Sequence, residues 1–348
     1  MPGRSGAFGV QTTNTIVLTG GSTALGLDNS VWTSQDRGET WRCVCRVAAW
    51  KPRVRHALVH LPQSNRLVLF GGYAGDGVYL QDVWVSENGG LHWVLLSDKR
   101  TKWQARAGMG VVVKGDDCVM IMGGDGFARG ADETVFNDVW EWRPGSGPDW
   151  HLVNPNAPWD PRTGCAAMLT SQGEIIVAGG FAEGEAVSDV WKSTDGKKWQ
   201  KISQLAAPLT AAQPAALNDR LFMFAGRSEH NCLDEVWCSK DQGKSWKVLE
   251  RGVEGFGPRC WSSVVVSPPV FASKKSSKGS SSKSKASQGG ADDKDKDYKP
   301  LFIFCGGVDD DGICHGDVWS SEDARVWVCM HADPAPSPRR ELIEKMMI

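Results

Sequence analysis

The chain has 348 residues, with 39 Lys and Arg against 41 Asp and Glu and a formal net charge of −2, so no global field draws it to nucleic acid or to an anionic membrane surface. Its 40 glycines and 17 tryptophans, set beside only 3 tyrosines, describe a turn-rich chain that packs on indoles. No run approaches the roughly 20 apolar residues of a membrane-spanning helix, and the residues from Met1 to Gln11 lack the apolar core of a secretory signal. The ten cysteines show no CxxC pair and no disulfide-like cadence, and are read as reduced, partly buried residues of a cytoplasmic or nuclear protein.

Taken in chain order, the sequence repeats one unit. Arg4-Ser5-Gly6-Ala7 opens the first copy, which runs through Gly20-Gly21 and Ser30-Val31-Trp32 to Trp41. The second passes Gly71-Gly72, Asp82-Val83-Trp84 and Trp93; the third Gly123-Gly124, Asp138-Val139-Trp140 and Trp150. The fourth has Gly179-Gly180, Asp189-Val190-Trp191 and Trp199, and the fifth Ala225-Gly226, Glu235-Val236-Trp237 and Trp246. Gly306-Gly307, Asp317-Val318-Trp319 and Trp327 complete the sixth. The first tryptophans lie about 50 residues apart, except across the last gap, which holds a Ser-, Lys-, Gly- and Asp-rich insertion from Pro268 to Pro300. Composition of that kind buries no core and is expected to be disordered.

Within each unit four strands are expected. Strand A is small and apolar, as in Gly164-Cys165-Ala166-Ala167-Met168-Leu169, and suits a crowded axis. Strand B is the apolar run into the glycine doublet, such as Arg66-Leu67-Val68-Leu69-Phe70. Strand C carries the Val-Trp pair and strand D begins at the second tryptophan. Such runs, bounded by Gly and Asp or Asn, are strand signals.

The glycine doublet, the Asp-Val-Trp and the spaced second Trp resemble the kelch-repeat family over essentially the whole chain. The resemblance implies an all-β fold, a six-bladed β-propeller with four antiparallel strands per blade, spanning residues 1–348 as one domain with the 268–300 insertion in blade 6. The tail, 333–348, is left to pair with blade 1, to form a short helix, or to fray. Two positions after the first Trp, where kelch repeats favour tyrosine, the chain has Ser34, Ser86, Ser193, Ser239 and Ser321. These serines open a second pattern, clearest in Ser34-Gln-Asp36-Arg-Gly38-Glu-Thr-Trp41 and Ser239-Lys-Asp241-Gln-Gly243-Lys-Ser-Trp246. It looks like the Asp-box of sialidase-type propellers, which is structural in those families. Here it predicts a C–D turn in which Asp bonds backbone N–H groups two residues on, Gly takes positive φ, and Trp closes the hairpin.

Strand alternation puts the B–C and D–A connections on one face, where function is expected to collect. There each strand A starts with a basic residue: Arg4, Arg53 or Arg55, Arg106, Arg162 and Arg259, with Gln213 in blade 5. Trp50, Trp103 and Trp159 precede three of them at one spacing, and Trp261 follows Arg259. The functional reading is a mouth of Arg forks and aromatic plates; the structural alternative is that repeat-borne residues hold the repeat together. Arg129 and Arg227 sit on loops and do not recur. The expected anchoring set for a protein partner is therefore Arg55, Arg106, Arg129, Arg162, Arg227 and Arg259 with Trp103 and Trp159, suited to an acidic or polar peptide.

Enzymatic readings find less support. Asp76, Asp125, Asp132, Glu133, Glu183, Glu185, Glu229 and Asp309-Asp310-Asp311 populate the same loops, but spacing alone pairs no two of them as acid and base. His230 with Cys232 and Cys314 with His315 lack the ligand spacing of a known zinc site. The copper oxidases of kelch architecture need tyrosine ligands, and only Tyr73 and Tyr79 lie outside the insertion. No local motif supplies the tyrosine nucleophile and arginine cluster of a sialidase. The expectation is thus a non-catalytic, monomeric interaction scaffold without cofactor or metal. A carbohydrate-active enzyme, such as a sialic acid mutarotase, is the alternative, and cytoskeletal binding a third reading.

Overall fold

The computed structural model describes residues 1–97, 102–127, 133–147, 149–249, 255–267, 299–332 and 337–338, and among them the chain is all-β. It forms six four-stranded antiparallel sheets, each built from consecutive strands A, B, C and D. In the first these are Phe8–Gln11, Ile16–Thr19, Val31–Ser34 and Arg42–Cys45. The A strands of the rest are Ala57–Leu61, Gly110–Lys114, Ala166–Leu169, Gln213–Leu217 and Ser263–Ser267. The expected strands stand within a residue or two, and each D strand starts just after its tryptophan. Outside these six sheets, the backbone of Ser337–Pro338 pairs with Ile313–Cys314, a loop of the sixth unit. The rest of the tail and the insertion, apart from Lys299 and Pro300, lie outside the described residues.

Position within a sheet fixes composition. Strand B lies between two strands of its own sheet with a neighbouring sheet on each face, so runs such as Arg66–Phe70 and Cys118–Met122 are buried almost throughout. Strand D is an outer edge, and Val94, Leu95 and Leu96 of Val94–Ser97 are exposed. The seams between sheets take the indoles. Trp103 meets Phe70 and Trp150 edge-on at 6.4 and 5.7 Å, and Trp50 and Trp159 meet Trp93 and Trp199 in the same way. Before the sixth sheet Phe256 fills the place of the tryptophan, stacked on Phe304 at 3.9 Å.

Two sets of backbone hydrogen bonds tie each sheet to the next and the last to the first. In one, the second residue of each doublet donates across the seam: Gly21 to the Arg53 carbonyl, Gly72 to Arg106, Gly124 to Arg162, Gly180 to Leu209, Gly226 to Arg259 and Gly307 to Arg4. In the fourth unit the first residue of the doublet is held to glycine because a Cβ on Gly179 would run into the Leu209 carbonyl, and its φ is +60°; in the fifth unit Ala225 takes that place at a φ of 55°. The other set lies at the start of the A strands. Arg55 donates to Gly6, Gly108 to Arg55, Gly164 to Gly108, Ala211 to Gly164, Trp261 to Ala211 and Gly6 to Trp261, over 2.8–3.4 Å. All six residues have φ between 53° and 63°.

The C–D turns differ from expectation in one detail. In the eight-residue turns Asp36 and Asp241 accept from the N–H four residues on, Thr40 and Ser245, while the serine hydroxyl takes the glycine N–H. Only the shorter turns bond two residues on, Asp195 to Lys197 and Asp323 to Arg325, because one fewer residue separates the aspartate from the tryptophan.

Candidate functional site

The strand-A arginines do not form an open mouth. Arg53, Arg106 and Arg162 are 0 % exposed and Arg4 and Arg259 at most 2 %. Four of the guanidinia serve the same network, while Arg4 reaches the Gly20 carbonyl and Asp28 through Nη1 alone. Arg162 Nη1 donates to the Gly179 carbonyl (3.0 Å) and to Asp189 Oδ1 (2.5 Å), Nη2 to Oδ2 (3.0 Å), and Nε to the Asp160 carbonyl (3.0 Å). Asp189 in turn accepts from Trp191 Nε1 at 2.6 Å. Arg106 with Asp138 and Arg259 with Asp317 repeat this geometry, as does Arg53 with Asp82. The arginine that begins strand A and the aspartate before Val-Trp are thus one device that pins the B–C connection to its own sheet. Burial pushes the Asp189 and Asp317 carboxyls up, but the hydrogen bonds and charge of Arg162 and Arg259 outweigh it and hold both below the usual carboxylate range.

The expected anchoring role of Arg106, Arg162, Arg259, Trp103 and Trp159 therefore gives way to a structural one. These side chains are sealed in the seams, with Trp103 and Trp159 1 % exposed, and each of the two indoles lies against the guanidinium three residues on. Blade 5 shows the rule by breaking it. Leu209, not Gln213, takes the arginine position there, Glu235 replaces the aspartate, and the buried Trp237 Nε1 is left without a hydrogen-bond partner.

Arg55 stands apart. Arg53 is the repeat arginine of the second sheet, and Arg55 holds the place that Gly6, Gly108 and Gly164 occupy elsewhere. Ala211 and Trp261 stand at the same place, so three side chains project at the axis where the motif supplies none. Holding non-glycine residues in the left-handed region costs on the order of 1 kcal/mol each. From the second unit, Arg55 reaches over to pair with Asp125 and to donate to the Thr163 hydroxyl at 3.0 Å. Its guanidinium lies 4.9 Å from the centre of the Trp261 ring, which comes from the sixth unit and extends to Gly164. Together they cover the axis at the loop face. Beneath them the channel narrows to a cavity of ≈ 60 Å³, and further along the A strands it widens to ≈ 420 Å³ between residues such as Val10, Val59, Val112 and Val265.

Beside this cover, the Tyr79 hydroxyl lies 2.8 Å from Asp125 Oδ2 and 2.5 Å from Glu133 Oε1. Burial, followed by the Asp125 charge and the two hydrogen bonds, pushes the phenol far above its ordinary range, so it keeps its one proton between two carboxylates. Tyr79 also meets Phe127 edge-on at 5.4 Å. Sequence reasoning passed over Tyr79, Trp261 and the Arg55–Asp125 pair as a unit. The signal was present in Arg53-Val-Arg55 and Arg259-Cys-Trp261, where the Arg-x-Gly motif loses its glycine.

The remaining candidates scatter. Arg129 and Asp132 fall outside the described residues. Arg227 is half-buried, its backbone bridging Thr210 and Cys232. Asp309 bonds His315 at 2.9 Å, and Asp310 accepts the Cys232 N–H, so neither belongs to a carboxylate pair. Among the described residues no three His, Cys, Asp or Glu side chains gather as a metal-binding group. A recess of ≈ 800 Å³ on the opposite face is lined by A–B and C–D turn residues, including Thr12, Asn14 and Asp36.

Comparison with known proteins agrees with this architecture. The flagellar outer-arm dynein alpha chain of Chlamydomonas reinhardtii is 32 % identical over 164 residues, which is 44 % of this chain and 4 % of that protein. The chain thus spans only a small part of that relative. The DUF6242 beta propeller domain matches residues 164–328. The KLHDC2/KLHL20/DRC7 Kelch-repeats domain matches residues 6–214, more than half of the chain and the stretch that carries the buried Arg–Asp pairs of the second, third and fourth units. This chain belongs to that family of kelch-repeat β-propellers.

Proposed function

We propose that the protein is a non-catalytic interaction scaffold, a six-bladed propeller that presents its B–C/D–A loop face to a protein partner. The backbone bonds that join the sixth unit to the first support the sixfold ring. The observation that carries the functional reading is the covered axis. Beneath Arg55 and Trp261 the channel narrows to a cavity of ≈ 60 Å³, too small to admit a sugar or a peptide from this side, so recognition at this face falls to the surface of its loops. Kelch repeats are commonly interaction modules, and here the recurring polar groups are spent within the fold while the irregular loops remain outside. Of the carboxylates an enzymatic reading would use, Asp125 is committed to Arg55, Thr163 and Tyr79.

Affinity purification followed by mass spectrometry tests this. Asp76→Lys with Glu183→Lys alters two exposed loop-face positions, and Glu87→Lys alters an exposed C–D turn. Partners lost with the first variant and kept with the second are expected; the reverse pattern overturns the assignment of the face. A cytoskeletal partner is the second reading, favoured by the likeness to the dynein alpha chain. Co-sedimentation with microtubules and with actin filaments tests it, and recovery in the supernatant with both sinks it.

A further inference from the structure

The charge left on the loop face indicates the chemistry of its partner, and this inference rests on the interaction reading above. Each strand-A arginine is neutralised by an aspartate of its own B–C loop: Arg4 by Asp28, Arg53 by Asp82, Arg106 by Asp138, Arg162 by Asp189 and Arg259 by Asp317. Arg55 is likewise taken by Asp125. What remains exposed on the B–C loops is acidic: Asp76, Glu133, Glu183, Glu185, Glu229 and Asp310. Among the described residues of these loops Arg227 is the one arginine, and there is no lysine. Cations do occur on this side at Arg46, Lys51 and Lys102, but they belong to the D–A connections, which start from the outermost strands.

Next to the axis the exposed carboxylate is Glu133, since the charge of Asp125 is taken by Arg55. One phenolic proton of Tyr79 faces two carboxylates, Asp125 and Glu133, so the second carboxylate is not met by a donor from Tyr79. Aromatic surface lies alongside. Phe127 is 43 % exposed, and Tyr79 and Trp261 pack against the same cluster of Val54, Tyr73 and Ala107. Carboxylates that supply charge, next to partly exposed aromatic side chains, form a surface complementary to an ammonium or guanidinium group. The same arrangement repels phosphate, and so disfavours nucleic acid.

We propose that the centre of the loop face docks a basic segment of a protein, whose lysine or arginine side chain settles against Glu133 and Tyr79 beside the Arg55–Trp261 cover. The Glu133 carboxylate then gains a cationic donor. The acidic B–C loops attract the remaining positive charge of the segment, over a range of about 8 Å at physiological salt. This reverses the expectation of an acidic peptide, because Arg55, Arg106, Arg162 and Arg259, four of the arginines that suggested one, are already paired.

The test uses the full chain, fluorescein-labelled decapeptides of alternating Lys-Ala and of alternating Glu-Ala, and selection from a random heptapeptide library. The triple variant Glu133→Lys, Glu185→Lys, Glu229→Lys changes exposed side chains only. Its melting curve should overlay that of the parent. The Lys-Ala peptide should bind at least 10-fold tighter than the Glu-Ala peptide, lose affinity as salt rises from 50 to 300 mM, and lose at least 10-fold in the variant. Selected heptapeptides should be enriched in Lys and Arg. Preference for Glu-Ala, or Lys-Ala binding that the variant leaves unchanged, overturns the proposal. If the library instead yields acidic or uncharged peptides that the variant no longer binds, the charge assignment falls while the interaction face stands. If nothing selected depends on the loop face, both fall.

Discussion

Replacing Arg162 by leucine, the residue that blade 5 carries at the equivalent Leu209, asks whether the repeat arginines are structural. The substitution removes both hydrogen bonds to Asp189, the bond to the Gly179 carbonyl and the bond to the Asp160 carbonyl. It leaves a carboxylate whose side chain is only 12 % exposed with Trp191 Nε1 as its remaining side-chain donor. Breaking a buried pair from one side costs about 3–5 kcal/mol. With an unfolding entropy of roughly 2.1 cal/mol/K per residue, that loss lowers the melting temperature of a chain this size by about 4–7 °C. Adding Asp189→Asn removes the stranded charge, so the double variant should recover about 1–3 kcal/mol relative to the sum of the singles. The pH dependence carries a sign. In the parent the Asp189 carboxyl is held below its unfolded value of about 3.9, so its stabilisation is present above that pH and lost as pH falls through the depressed folded value. Without Arg162 the opposing burial, the largest influence, is met only by the Trp191 hydrogen bond and the Lys201 charge, so the carboxyl rises and the deficit of the variant is largest near neutrality and narrows on acidification. Urea unfolding monitored by tryptophan fluorescence from pH 3.5 to 7.5 measures all three effects. A deficit below about 1 kcal/mol that does not change with pH would mean a solvent-screened pair, and would return Arg162 to the candidates for partner contact.

His56 is buried beside Thr19, and burial pulls its imidazole down to about 3. Its contribution is therefore complete above an unfolded value of about 6.5 and erodes as pH falls, by about 2 kcal/mol at pH 5. His56→Ala, the residue at the equivalent Ala7 and Ala212, should flatten the stability profile between pH 7 and 5; an unchanged slope refutes the assignment. Gly179→Ala places a Cβ against the Leu209 carbonyl and should cost more than about 2 kcal/mol, whereas Gly145→Ala, with nothing within 4 Å of the new Cβ, should cost about 1 kcal/mol from its positive φ alone, as thermal melts would report. Cys329 is exposed and Cys43 and Cys45 are half-buried, while the other seven cysteines are buried, so brief alkylation of the native protein should label only these three by peptide mapping. Equal labelling at Cys118 or Cys305, whose thiols burial pushes up to about 11 and about 12, would show a looser core.

The repeat was legible because it is local. Glycine doublets, Val-Trp pairs and second tryptophans recur at nearly constant spacing, and each demands a turn or a strand by its own chemistry. Even the strand order followed, since consecutive short strands pair with their neighbours. The arginines were legible as a set but misleading as to direction. An Arg at the start of strand A and an Asp before Val-Trp lie some 27 to 58 residues apart, as in Arg162–Asp189 and Arg259–Asp317, and nothing along the chain states that they meet.

What the sequence by itself determined is the repeated unit, its six copies and the side on which the variable loops gather, because these depend on periodicity and turn chemistry within about 50 residues. Only the tertiary structure decided which charges survive folding. Buried Arg–Asp pairs cancel, and the departures from Arg-x-Gly at Arg55 and Trp261 converge from separate units to cover the axis. A surface charge pattern is what remains after long-range pairing, so it is set by the three-dimensional arrangement and cannot be summed along the chain.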